Sequence, residues 1–113
     1  MTPPISVPLP ATSVPSALQD QPVLILGLGS SGLALARWCA SRGAQVTVAD
    51  TRSAPPQLAA LRREVPQADF CSGVFDATLI HPGLRAVFTS PGLSPAQIAP
   101  ISIAASELGI SVF

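Results

Sequence analysis

At 113 residues the chain has room for one domain with a packed core and none for a two-domain enzyme. Apolar residues make up 48% of it and charged residues only 11%, so an α/β core is easily filled. The formal charge is zero with no basic cluster, which argues against nucleic acid or an anionic membrane as the main partner. All six basic residues are arginine, which excludes a P-loop lysine, a Schiff-base lysine and a lysine general base.

Residues 1–21 carry Pro3, Pro4, Pro8, Pro10 and Pro15 among Ser and Thr. Such proline density removes backbone donors and favours extended conformers, so this segment is expected to be a disordered tail, with the folded domain spanning 22–113. Val23 to Leu26 is a short apolar run suited to a strand buried on both faces. Gly27, Gly29 and Gly32 follow in G-x-G-x-x-G spacing, and a helix is predicted from Ser31 to Arg42, ended by Gly43. In that arrangement one glycine turns the chain off the strand, one lets backbone approach a pyrophosphate, and one lets the helix pack on the strand. The free N–H groups of the helix's first turn then face the anion. Trp38 on this largely apolar helix is expected in the core or at a domain contact, not stacked on a base.

Ala44 to Asp50 alternates and is rich in Val and Thr, so it reads as a second strand. Its last residue, Asp50, stands roughly 20 residues beyond the glycines, where an acid hydrogen-bonds a ribose or another polar ligand edge. A helix from Pro56 to about Glu64 follows, then a weak strand from Ala68 to Ser72 and a brief helix from Phe75 to Ile80. Arg85 to Thr89 reads as strand four, ending in Ser90-Pro91-Gly92. Pro100 would cost a helix begun at Ser94 a hydrogen bond. The expectation is therefore a turn near Ser94 to Gln97, a helix from Pro100 to Gly109 and a fifth strand from Ile110 to Phe113. Ending on an apolar strand suggests a fragment of a longer protein.

The alternation implies a Rossmann-like α/β fold, a parallel sheet of about five strands with helices on both faces. Ligands in such sheets bind beyond the carboxyl ends of the strands. Three loops converge there: Leu28 to Gly32, Asp50 to Arg52, and Ser90 to Leu93. Cys39 and Cys71 read as reduced thiols rather than a disulfide or metal pair, and His81 before Pro82-Gly83 as a turn residue. No apolar run reaches a membrane span and no signal peptide opens the chain, so a soluble cytoplasmic protein is expected.

Taken together, Gly-Leu-Gly-Ser-Ser-Gly at 27–32, Asp-Thr-Arg at 50–52 with Pro55-Pro56 behind it, and Ser-Pro-Gly-Leu at 90–93 resemble a known set. It is that of the N-terminal domains of UDP-N-acetylmuramoyl-L-alanine:D-glutamate ligases, the MurD branch of the Mur ligases. The resemblance covers roughly Pro22 to the C-terminus. It implies that the domain holds the UDP end of UDP-MurNAc-L-alanine. Leu28, Gly29, Ser30, Ser31 and Gly32 would then take the diphosphate. Asp50 and Thr51 would read the uracil edge, Arg52 would lie against the base or the phosphates, and Ser90, Pro91 and Gly92 would close the other side. It further implies an ATP- and Mg²⁺-dependent ligase of peptidoglycan precursor synthesis. Its central ATP-binding and C-terminal domains are absent from this chain, leaving a fragment that binds no cofactor and is inactive alone. On this reading Asp50→Ala abolishes base recognition and spares the fold. Two alternatives stand beside it: an NAD-binding domain of a dehydrogenase or nucleotide-sensing regulator, and a Rossmann-like assembly module with an empty crevice.

Overall fold

A computed structural model of the chain describes residues 18–113. The predicted tail lies outside the described residues except for positions 18–21. Of these, Leu18 packs on the core and the Asp20 N–H donates to the Gly43 carbonyl at 2.9 Å.

Four parallel strands form the sheet: β1 (Pro22–Leu26), β2 (Gln45–Asp50), β3 (Asp69–Ser72) and β4 (Ala86–Thr89), in the order β3-β2-β1-β4. β1 is central because it is the most apolar; Val23 to Leu26 are buried to 1% exposure or less. It pairs with β2 from Pro22↔Gln45 to Leu26↔Ala49 and with β4 from Val23↔Ala86 to Leu26↔Thr89. Successive side chains of a strand face opposite sides, so β1 feeds two cores. Val23 and Ile25 join Val46 and Val48 under helices α1 (Ser30–Ser41) and α2 (Leu58–Glu64). Leu24 and Leu26 join Ala49 and Val87 under helix α3 (Pro95–Glu107) and a 3₁₀ turn at Ala77–Leu79. Helices thus cover both faces, as the alternation of elements implied.

α1 presents Gly32, Leu33, Ala36 and Cys39 to the sheet, a helical spacing of three to four, and an ion pair between Arg37 and Glu64 ties it to α2. Trp38 lies outside both cores, 43% exposed, with the Arg42 guanidinium 4.9 Å above its ring. Both cysteines are free. Cys39 is buried, which pushes its thiol pKa up, and Cys71 is exposed on the edge strand.

Two expectations are corrected. The predicted fifth strand is an isolated bridge, Val87↔Val112, so the sheet has four strands rather than five. The terminal segment still follows β4: the N–H groups of Val87 and Thr89 donate to the Ser111 and Phe113 carbonyls, and the Phe113 ring stacks on Phe88. The second correction concerns α3, which starts at Pro95 and runs through Pro100. Ser94 and Gln97 form a capping box, with the Ser94 hydroxyl accepting from the Gln97 N–H and the Gln97 side chain accepting from the Ser94 N–H. Pro95 occupies the first helical position, where its missing N–H costs nothing. With Ile101 and Ala105 fully buried against the sheet, these gains outweigh the one hydrogen bond lost at Pro100.

Candidate functional site

The strand order places β2 on one side of β1 and β4 on the other. Where connections leave a central strand toward opposite sides, the turns after the strands part and leave a crevice. A cavity of about 440 Å³ lies there, bounded by the turns that follow β1, β2 and β4.

The first turn is built by its glycines. Gly27 has φ +91°, a left-handed conformation open to glycine at little strain. Its N–H donates to the Ala49 carbonyl at 2.7 Å, and its carbonyl accepts from the Ser90 hydroxyl at 3.0 Å. A Cβ on Gly32 would stand 2.0 Å from that carbonyl, so α1 approaches the turn as closely as it does only because position 32 is glycine. Gly29 differs: nothing lies within 4 Å of the side chain it lacks. It is the N-cap of α1 and contributes no side-chain cap. Ser30, Ser31 and Gly32 precede the first intrahelical bond, from the Leu33 N–H to the Gly29 carbonyl at 2.9 Å. Their own N–H groups have no carbonyl one turn back to bond to, and the helix dipole adds positive potential in front of them.

Asp50 ends β2 and is the buried polar residue of the described chain, 3% exposed. Its Oδ2 accepts from the Leu28 N–H at 2.7 Å and from Arg52 Nη2 at 2.8 Å. Its Oδ1 accepts from the Arg52 N–H at 2.8 Å and from Arg52 Nε at 2.9 Å. The Arg52 guanidinium is the main reason its carboxyl pKa drops to about 2; burial opposes the shift, and the two backbone donors add to it. Asp50 therefore pins the glycine turn to the end of β2. After β4, the Ser90 N–H donates to the Leu26 carbonyl at 3.0 Å while its hydroxyl holds Gly27. Gly92 has open space around it.

Of the residues singled out from sequence, Gly29, Ser30, Ser31, Asp50, Thr51, Arg52, Ser90, Pro91 and Gly92 line the one cavity. Leu28 and Gly32 do not. The Leu28 side chain is fully buried in the core and serves the site through its N–H, and Gly32 is packed behind Gly27. Gly27 of the glycine turn and Leu93 of the third loop line the cavity as well, and so does Gln97, which was not expected there. The signal for Gln97 was the Ser94-x-x-Gln97 capping pattern, which places the start of α3 at the crevice.

Among the described residues no group of three His, Cys, Asp or Glu could hold a metal ion, and no helix is long and apolar enough to cross a membrane.

A glycine turn after the central strand, an acid ending the next strand and a crevice where strand order reverses define a Rossmann-like α/β domain. Solved structures agree on the fold. Dipicolinate synthase A chain from Bacillus subtilis superposes with a TM-score of 0.58 at 16% identity, over 89% of this chain and 44% of that one. A cinnamyl alcohol dehydrogenase from Sorghum bicolor gives 0.59 at 17% identity, over 91% and 35%.

Sequence goes further than fold. Residues 21–113 match the family described as Mur ligase MurD-like, N-terminal domain, and the chain belongs to that family. UDP-N-acetylmuramoylalanine--D-glutamate ligases are its relatives. That of Albidiferax ferrireducens is 68% identical over 84% of this chain and 19% of its own length. That of a Polaromonas species is 58% identical over 84% and 16%, and that of Burkholderia multivorans 52% identical over 80% and 18%. The chain thus spans about a fifth of the length of these relatives.

Proposed function

We propose that the domain, residues 22–113, holds the UDP end of UDP-MurNAc-L-alanine for a cytoplasmic ligase that joins D-glutamate to it in peptidoglycan precursor synthesis. The observation that carries this reading is the convergence of all three motif turns on one cavity in a member of the MurD-like family. Its volume, about 440 Å³, lies in the range of small-molecule sites. The diphosphate sits at the N-terminus of α1, where Ser30, Ser31 and Gly32 offer N–H donors and Gly29 leaves room for approach. The uracil lies between the turn at Asp50-Thr51-Arg52 and the turn at Ser90-Pro91-Gly92. Its ring N–H and carbonyls are matched by the acceptor of Asp50 and the hydroxyl of Thr51.

ATP and Mg²⁺ belong, on this proposal, to the parts of the ligase beyond this domain. The chain has no lysine for a P-loop, and the described residues offer no carboxylate set for magnesium. The domain binds one substrate and leaves the acyl phosphate chemistry to its neighbours.

Titration of the ¹⁵N-labelled chain with UDP-MurNAc-L-alanine, UDP, NAD and NADP tests the reading. The expected result is shifts at Gly29 to Gly32, Thr51 and Gly92 with the uridine ligands alone. Shifts with NAD and none with UDP would overturn it in favour of a dehydrogenase-type domain.

A further inference from the structure

A carboxylate has about four acceptor positions. In Asp50 all are filled by this chain: the N–H groups of Leu28 and Arg52, and Nε and Nη2 of Arg52. The side chain of Asp50 is only 4% exposed, so no further face is open to a ligand. Two of the four donors are backbone groups fixed by the turns. The other two belong to a guanidinium whose side chain is 53% exposed and lines the same cavity as Gly29 and Ser30.

Resting on the uridine diphosphate reading above, we infer that Arg52 occupies the ligand's place on Asp50. A base reaches that carboxylate by displacing the guanidinium, and a diphosphate in the same cavity receives it. Arg52 is in this way a specificity-determining residue. A neutral nucleoside exchanges a bidentate, charge-assisted pair for the one neutral N–H of its uracil ring, and loses by the exchange. A nucleoside diphosphate supplies both halves: an N–H for Asp50 and anionic oxygens matched to the fork of the freed guanidinium. Arg52 keeps the buried carboxylate paired, and selection for a phosphorylated ligand follows from competition as well as from attraction.

The test uses the 113-residue chain with uridine and UDP as probes, read by NMR titration. In wild type, UDP binds and uridine binds far more weakly. Arg52→Ala is expected to strengthen uridine by about fivefold or more and weaken UDP by a similar factor. Arg52→Lys, which keeps the charge and loses the bidentate fork, should strengthen uridine while holding UDP to within about threefold. Both substitutions sit at an exposed side chain, and unchanged spectra away from the crevice would show that the fold survives. Uridine binding that is unchanged or weaker in both variants would overturn the inference. A second readout separates this from the ligand reading itself. The Arg52 Nε–H resonance of wild type should move as UDP is added. Should Gly29 to Gly32 respond to UDP while that resonance stays fixed, the exchange is refuted and the binding site stands. Should nothing respond to any uridine ligand, both fall.

Discussion

The two ends of the sheet each carry a cavity, and they differ in everything but size. The one beyond the carboxyl ends holds about 440 Å³ and the one at the amino ends about 400 Å³. The polar part of the latter's lining is Gln45, Thr47, Gln67, Asp69 and His81, whose side chains are mostly exposed. The carboxyl-end crevice is walled by turns whose polar groups are fixed. Gly27 is bonded to β2 and to Ser90, Asp50 is buried under four donors, and the N–H groups of Ser30, Ser31 and Gly32 precede the first bond within α1. Concavity is common to both; fixed, uncompensated backbone donors beside a held charge belong to one. Such groups need no reorganisation to meet an anion, which is what makes a pocket selective.

That contrast can be broken from the carboxyl end first. Gly32→Ala drives a Cβ to 2.0 Å from the Gly27 carbonyl, a backbone atom that cannot swing aside. A loss of about 3 kcal/mol is expected in urea unfolding, a large fraction of the stability of a small domain. A change below about 1 kcal/mol would mean that the turn yields more easily than its bonding suggests.

Asp50→Asn comes next. It sets an amide NH₂ against the N–H of Leu28 or of Arg52 and removes the ion pair. Because the folded pKa, about 2, lies below the unfolded value near 4, the carboxylate stabilises the fold above pH ~4 and ceases to as pH falls through ~2. The shift corresponds to about 2 kcal/mol. Wild type should therefore exceed the variant by roughly that amount near neutrality, with the difference closing between pH ~4 and ~2 in parallel denaturation series. A constant difference across that range would show that the charge is not what matters. The expectation that removing this carboxylate spares the fold is thus revised: an acid at 3% exposure holding the glycine turn has a structural part as well.

The smallest effect belongs to the amino end. His81→Ala, in an exposed turn, should shift stability by less than ~0.5 kcal/mol and leave the UDP response unchanged. A lost response would move the site to the other end of the sheet.

Features whose cause is local were legible from the chain. An apolar run into spaced glycines, and a Val/Thr strand ending in an acid, identified the core and two walls of the crevice. The start of α3 was not, because a rule about Pro100 was set against a capping box at Ser94–Gln97 and the burial of Ile101, and the sum favours the longer helix. Placing that helix late removed Gln97 from the crevice. The bonding of Asp50 was hidden for another reason. It depends on the Leu28 N–H arriving from the turn after the neighbouring strand and on Arg52 folding back, neither of which leaves a pattern in residue order.

One small group in the first turn has a wider consequence. The peptide groups of Gly27 reach β2 through the N–H and the β4 turn through the carbonyl, while Gly32 abuts the same oxygen. Three stretches of chain distant in sequence thus share one joint and cannot loosen separately. Ligand association then loses little affinity to ordering the loops, since it is exposed side chains such as that of Thr51 that remain to be arrested.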